Sequence, residues 1–333
     1  MGHRSRRRFL QGSLALAGLG LLPGCQSLPF QAPTATKVPT LGILLYGTPA
    51  TDPTLKAFLD GLSELGYSAG QNLALEYRYA EGRPERLRDL ASELVQLKPD
   101  VIFALGGDVA PAAKDATNAI PVVVATSADP VRGGLVANLA HPGGNVTGVT
   151  FLSPALAGKR LELLKNTLPR ISRVAILWNP EHADADFQET QAAAAALGVE
   201  LHSREVRGPS DLDGAYEALV GGGAEGLIVV PSRLTLLNAG QISTFALTHR
   251  LPVVSGWGIF ARAGGLLAYG PNLDSMVRRA AAYVDKILKG AKPADLPVEQ
   301  PTTFDFVLNL QTAKALGLTI PQEVLMQATE VVQ

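Results

Sequence analysis

Short apolar runs alternate with longer amphipathic stretches along the chain from residue 40 onward. The runs are brief and bounded by turn residues, which predicts strands over 41–46, 73–79, 100–105, 121–125, 146–151, 173–178, 199–205, 226–230, 252–255 and 266–269. Amphipathic spacing between them predicts helices, for example over 53–65, 84–97, 155–168, 184–197 and 273–289. Most of the runs are apolar throughout, which is typical of parallel strands buried on both faces. The alternation therefore predicts a doubly wound α/β fold.

Clusters of Pro, Gly and Asn interrupt this alternation at three places, and such clusters break regular structure. About ten strands are more than one open sheet comfortably holds, so we expect two lobes. A chain that crosses three times between two lobes accounts for all three breaks. The expected hinge segments are 145–148, 269–272 and 297–302.

These crossings divide the body of the chain into two doubly wound parallel-sheet lobes. Ligands of open α/β sheets bind beyond the carboxyl ends of the strands, so we expect a ligand in the cleft between the lobes. The first lobe is expected to comprise 40–147 plus 271–301, and the second 148–270 plus 302–333.

The first 24 residues predict an export signal rather than part of the fold. Arginines at positions 4, 6, 7 and 8 precede an apolar run over 9–23, which is too short to span a bilayer. The order from Ser5 to Gln11 resembles the twin-arginine export signal and lacks only its final Lys. The alternative is a basic N-terminal arm. We expect the protein to be exported.

Cys25 closes the segment Leu22-Pro23-Gly24-Cys25, which resembles a bacterial lipobox. The resemblance implies that Cys25 is acylated and anchors the mature chain to a membrane; simple cleavage of the signal is the alternative. Residues 25–39 are rich in Pro, Ala and Thr and are expected to form a flexible tether.

Composition and motifs exclude several classes of protein. The formal charge is −1, so the basic excess of a nucleic-acid binder is missing and we expect no nucleic-acid partner. One cysteine allows neither a disulfide framework nor a Cys-rich zinc site, and the five histidines form no HExxH pair. The sequence carries no dinucleotide-binding fingerprint, P-loop or GxSxG elbow. We therefore expect no cofactor, no metal and no catalytic residues.

Several local motifs resemble the substrate-binding proteins of ABC transporters. They are Thr126-Ser127-Ala128-Asp129-Pro130-Val131, Gly134-Leu135-Val136, Pro142 to Gly148, Gly264-Gly265-Leu266 with Tyr269-Gly270-Pro271, Gly290 to Pro301, Leu308-Asn309-Leu310 and Ala315 to Leu318. The resemblance covers nearly all of residues 40–333. It implies a type I periplasmic-binding-protein fold and an extracytoplasmic protein that delivers a small solute to permease and ATPase subunits. Some members of the family are assigned to aromatic amino-acid uptake.

Within that architecture, the ligand is expected at strand carboxyl ends and helix amino ends, where free N–H groups attract anions. In the first lobe this selects Tyr46, Gly47, Thr48, Gly106, Gly107, Asp108, Thr126, Ser127 and Asp129. Thr48, Asp108 and Ser127 are equally suited to cap helices. Asp129 could bind a ligand ammonium or stabilise its own loop.

In the second lobe the equivalent positions are Asn179, Ser232 and Trp257, and capping or turn roles are the alternative for the first two. Trp257 stands between glycines at a strand end, where its ring could stack on a flat ligand or pack in the core. Hydroxyl and amide donors, a carboxylate and two aromatic rings together favour an amino acid or a related compound, aromatic ones included.

Two other functions stay open on the sequence alone. An effector-sensing core of a repressor can share this fold, although an export signal stands where a DNA-binding segment would be needed. A lipid-anchored α/β enzyme, such as a hydrolase, is the other alternative, since catalytic residues scattered along a chain leave no motif.

Overall fold

The computed structural model describes residues 37–151, 154–182 and 185–333. The predicted signal peptide, Cys25 and the tether as far as residue 36 lie outside the described residues. Among the helices that are described, none combines the length and the apolar character needed to cross a bilayer. The lobes described below both lie within the unit Val38–Gln333.

The first lobe is built on a five-stranded parallel sheet with strand order β2-β1-β3-β4-β5. Its central strands are buried along nearly their whole length, as expected for apolar strands covered on both faces. The elements are β1 (Thr40–Leu45), α1 (Leu55–Glu64), β2 (Ala74–Tyr79), α2 (Leu87–Gln96), β3 (Val101–Leu105), α3 (Ala110–Ala116), β4 (Val122–Thr126) and β5 (Val146–Thr150).

The second lobe is built on a seven-stranded sheet with strand order β12-β11-β10-β9-β8-β6-β7. Its first part contains α4 (Ala157–Thr167), β6 (Arg173–Trp178), α5 (Asp186–Leu197), β7 (Glu200–Glu205), α6 (Leu212–Gly221), β8 (Gly226–Val229), α7 (Arg233–Leu237), α8 (Ala239–Thr248), β9 (Val253–Ser255), α9 (Gly258–Arg262) and β10 (Leu267–Pro271). After α10 (Leu273–Leu288), which packs on α1, β4 and β5 of the first lobe, the chain adds β11 (Phe304–Asn309), α11 (Leu310–Leu316), α12 (Gln322–Leu325) and β12 (Glu330–Val332).

The two-lobed α/β fold is thus confirmed, but the second sheet is not wholly parallel. β11 pairs with β10 in the antiparallel direction. The reason is the path of the chain: β10 runs towards the first lobe, and the chain returns from that lobe after α10, so β11 runs the opposite way. Strands β11 and β12 were not among the predicted strands.

The first crossing lies later than the predicted boundary between residues 147 and 148. That boundary falls inside β5, which pairs with β4 from Val146 to Thr150. Gly148 adopts φ +140°, and a Cβ there would overlap the backbone of Val124. The close approach of the two strands keeps this segment within the first sheet. The last crossing follows Glu299, which still bridges to Val149 of β5.

Candidate functional site

The carboxyl ends of strands β1, β3 and β4 in the first sheet and of β6, β8 and β9 in the second face one cleft. The loops that follow β1, β3 and β4 line it from the first lobe, and those that follow β6, β8 and β9 line it from the second. The predicted site residues lie in these loops or at the strand ends. Their surroundings divide them into residues that join the lobes and residues that stabilise their own loop.

A buried ion pair that no sequence motif marks joins the lobes. The Arg233 guanidinium, at the start of α7, donates to Asp52 in the loop after β1, and both side chains are at most 2% exposed. Asp52 is held in place because its Oδ1 accepts the backbone N–H groups of Thr54 (2.9 Å) and Leu55 (3.1 Å) at the start of α1. Burial lowers the pKa of Arg233 to about 9, so the guanidinium stays charged at neutral pH. Its Nε is buried with no hydrogen-bond partner among the described residues.

Three glycines of the first lobe, all predicted as ligand-binding positions, are contacted by side chains of the second lobe. A Cβ on Gly106 would overlap Arg233, and one on Gly107 would overlap the imidazole of His182. A Cβ on Gly47 would lie 2.8 Å from Leu237. The missing side chains let the two lobes approach closely.

A second polar contact between the lobes involves a predicted residue. The Ser127 hydroxyl lies 3.0 Å from Nε2 of His182, and both side chains are buried. Its neighbour Thr126 is also buried and accepts the backbone N–H of Ala128 at 3.1 Å. No sequence signal marks the contact of His182, because its partner is 55 residues away along the chain.

Four predicted residues form local hydrogen bonds of the capping and turn kind. Thr48 exchanges hydrogen bonds with Thr51, and Asp129 accepts the backbone N–H groups of residues 131 and 132. Asn179 accepts the backbone N–H of Glu181. Ser232 caps α7 by accepting the backbone N–H of Thr235. These bonds serve the loops themselves.

Tyr46 and Asp108 lie on the first-lobe side of the cleft. Asp108 accepts the backbone N–H of Arg233 at 2.9 Å, a further contact between the lobes. The Tyr46 side chain is 1% exposed, and its hydroxyl has no hydrogen-bond partner among the described residues. Burial, reinforced by the negative charges of Asp108, Glu85 and Glu181, raises the pKa of this hydroxyl well above its ordinary value. Tyr46 is therefore a neutral phenol beside carboxylates.

Trp257 packs in the core and also lines a cavity between the lobes. It is 2% exposed and belongs to the main apolar core. Phe151, at the end of β5, meets its ring edge to face at 6.4 Å. A second buried ion pair joins Arg160 to Asp186 at 2.8 Å. The Arg160 guanidinium packs against the loop that holds Trp257, since a Cβ on Gly256 would come within 2.6 Å of it.

Two cavities open between the lobes, and Arg233 contacts one residue that lines each of them. One, of about 230 Å³, is lined by Trp257, Thr54 and residues 271–274. The other, of about 550 Å³, is lined by Asp108, Asn179, Glu85 and Glu181. Arg233 links them, since its backbone donates to Asp108 and its guanidinium lies 3.5 Å from the Thr54 hydroxyl.

A larger cavity of about 910 Å³ lies elsewhere, among residues 167–171, 250–252 and 316–319. It is near the amino ends of β6 and β9, the end of a sheet where open α/β folds do not place ligands. Within the described ranges, no group of three or more His, Cys, Asp or Glu side chains could hold a metal ion.

Comparison with known proteins finds relatives that match most of this chain. A tyrosine-binding protein of Clostridioides difficile (strain R20291) is 27% identical over 312 residues, which are 90% of this chain and 89% of that protein. The structure of an ABC domain in complex with L-Trp from Streptococcus pneumonia has a TM-score of 0.81 and 26% identity, covering 88% of this chain and 99% of that one. The ligand-free, open structure of a substrate-binding protein with adhesive properties from Clostridium difficile has a TM-score of 0.61 and 26% identity, covering 89% and 99%.

A family model described as ABC transporter substrate binding protein matches residues 43–332. Members of such a family bind solutes outside the cytoplasm for an importer. Because the match spans most of the chain, the protein belongs to the ABC transporter substrate-binding protein family.

Proposed function

We propose that this protein binds an aromatic amino acid between its lobes and delivers it to a permease driven by an ATPase. The observation that carries the proposal is the cleft itself: Arg233, His182 and Leu237 of one lobe contact Asp52, Ser127 and Gly47 of the other. Contacts of this kind form when two lobes close over a solute. We further propose that the chain is a binding protein without catalytic activity.

The choice of ligand is supported by two relatives, one named for binding tyrosine and one solved with L-Trp. The lobes of this structure are proposed to be in the closed arrangement. The L-Trp complex and the open, ligand-free structure are both 26% identical to this chain, yet their TM-scores are 0.81 and 0.61. Because sequence divergence is the same for both, we attribute the difference to the angle between the lobes.

Attachment to a membrane through Cys25 completes the proposal. Residues 1–24 would direct export by the twin-arginine route, and the acylated Cys25 would hold the mature chain at the membrane through the tether 25–39. The hinge segments near residues 151, 271 and 300 would let one lobe turn relative to the other while the anchor stays in place.

Calorimetric titration of the purified protein with L-tyrosine and L-tryptophan tests the ligand class. We expect saturable binding of at least one of them and no binding of glucose or benzoate, which serve as sugar and carboxylate controls. A ligand at about 100 times its Kd should add about 2.7 kcal/mol of stability, seen as a raised melting temperature. Binding of a sugar, with neither amino acid bound, would overturn the proposal.

A further inference from the structure

We propose that the large cavity near the amino ends of β6 and β9 binds a carboxylate that carries a long aliphatic chain, at a second site outside the solute cleft. We call it the basal cavity; its lining residues are 167–171, 225, 250, 252, 316, 318 and 319. Binding there is independent of the solute in the cleft, so this site goes beyond the proposed function. No sequence motif marks these residues.

The basal cavity has the size and the lining of a ligand site. Its volume of about 910 Å³ exceeds that of either cavity between the lobes, and small-molecule sites usually measure about 300–1,000 Å³. Six of its eleven lining residues are apolar: Leu168, Pro169, Ile171, Pro252, Leu316 and Leu318. The three leucines are only half-buried, so an apolar ligand would remove their exposed surface from water.

The apolar lining suits a flexible chain better than a ring. Leu168 follows α4, whereas Leu316 ends α11 and Leu318 follows it, so two separate loops contribute the apolar side chains. None of the lining residues is aromatic, so a ring would find no aromatic partner to stack on. An aliphatic chain can follow the apolar side chains of both loops.

Two guanidinium groups at the basal cavity are available to an anion. Arg170 and Arg250 line it, and neither side chain forms an ion pair or a hydrogen bond with another described residue. The one acid of the lining, Glu225, already accepts the backbone N–H of Ser172 at 2.7 Å and pairs with Arg173 at 2.8 Å. The uncompensated charge is therefore positive, and a carboxylate is a group that guanidinium binds through two parallel hydrogen bonds.

The backbone of Arg250 is a further, independent observation. Arg250 follows α8 with φ +58°, in the left-handed region where a side chain costs free energy and glycine does not. Eight of the described helices are followed within two residues by a positive φ, and six of those positions are glycines; the other two are Arg250 and Lys98. Because Arg250 is exposed and unpaired among the described residues, its side chain returns no contact to the fold for this strain. A role in holding a ligand explains why an arginine stands here.

Calorimetry with decanoate and decylamine tests the site, since the two probes share a chain length and differ in the sign of their charge. We expect saturable binding of decanoate and at least about tenfold weaker binding of decylamine. Saturating L-tyrosine or L-tryptophan should change the affinity for decanoate by less than about twofold, because the cleft is a separate site.

Each contrary result has a distinct meaning. Absence of decanoate binding, or equal binding of decylamine, overturns the inference and leaves the proposed amino-acid function intact. Loss of decanoate binding in the presence of the amino acid would place decanoate in the cleft and also overturns the inference. Binding of decanoate without either amino acid supports the basal site and overturns the proposed function.

Variants locate the anion. Arg170→Gln with Arg250→Gln should weaken decanoate at least about tenfold, which corresponds to about 1.4 kcal/mol. The control Lys56→Gln with Arg132→Gln makes the same change in net charge at exposed positions of the first lobe and should change affinity less than about twofold. Unchanged decanoate affinity in the Arg170 and Arg250 double variant overturns the inference.

Arg250→Gly separates a ligand-binding role from a structural one. It should weaken decanoate several-fold without lowering the melting temperature, because glycine adopts φ +58° freely. A lowered melting temperature with unchanged decanoate affinity would show that the Arg250 side chain serves the fold, and would overturn its assignment to the site.

Discussion

Arg233 and Asp52 lie 181 residues apart in the chain and form a buried ion pair across the cleft. Asp52 caps the first turn of α1, whereas Arg233 begins α7, so each partner is fixed by its own lobe. A buried pair contributes little net stability, because desolvation offsets the attraction. Because the two partners belong to different lobes, opening of the proposed closed arrangement would separate the two charges.

The first prediction follows from removing the cation. Arg233→Met leaves the Asp52 carboxylate buried and unpaired in the closed state, which costs about 3–5 kcal/mol. We expect the affinity for L-tyrosine or L-tryptophan, whichever binds more tightly, to fall by a factor of about 100 or more in calorimetry. The melting temperature without ligand should change little, since water can hydrate Asp52 in the open state.

Two variants control this experiment. Arg233→Met combined with Asp52→Asn removes both charges and should recover part of the lost affinity. Arg173→Met breaks an exposed pair with Glu225 inside the second lobe, at the amino end of β6 and away from the cleft, and should leave affinity nearly unchanged, because exposed pairs contribute about 0–1 kcal/mol. If Arg173→Met and Arg233→Met have the same effect, the pair of Arg233 and Asp52 does not act through closure.

The second prediction concerns the close approach of the lobes at Gly107. A methyl group there would overlap His182, so Gly107→Ala should hinder closure and lower ligand affinity without lowering the stability of the ligand-free protein. Adding His182→Ala should restore affinity, because it removes the overlapping ring. Gly144→Ala, where a Cβ meets nothing within 4 Å, is the matched control. Failure of His182→Ala to rescue Gly107→Ala would rule out steric blocking.

The third prediction separates the two roles of Trp257. Its 2% exposure and its contact with Phe151 indicate a core residue, so Trp257→Ala should lower the free energy of unfolding by about 3–5 kcal/mol. Urea unfolding without ligand measures this loss, and Trp257→Phe should lose less. Unchanged stability with weakened ligand binding would instead mean that the ring serves the ligand.

The sequence predicted the fold well where burial dictates the pattern. Strands β1, β3 and β4 lie at the centre of a sheet, so their residues must be apolar on both faces, and local hydropathy reveals them. β11 alternates Phe304, Asp305 and Phe306, and its antiparallel direction depends on the return of the chain from the first lobe. Local pattern carries no information about that path.

The residues of the site were harder to predict from the sequence than the strands, for a related reason. Position at a strand end led to Ser127 and Asp108, both of which contact the second lobe, while ligand binding by them stays a prediction. Arg233 directly follows the predicted Ser232, and a charged residue after a buried strand was the available signal for it. Its pairing with Asp52, like the convergence of Glu85 and Glu181, arises from tertiary structure alone.

The fourth prediction tests the anchor. Cys25→Ser should release the protein from the membrane fraction, because the acylated side chain is lost, and should leave the melting temperature unchanged. Fractionation of cells followed by immunodetection measures the distribution. Substituting Arg6→Lys and Arg7→Lys should hold the precursor in the cytoplasm. Continued sedimentation of the Cys25→Ser protein with membranes would contradict the predicted lipidation.

Small-angle X-ray scattering of the purified protein measures closure of the lobes on an amino acid. We expect the radius of gyration to fall as L-tyrosine or L-tryptophan is added, and the change to saturate at the same concentration as binding in calorimetry. A radius of gyration that stays constant while calorimetry shows saturation would contradict it.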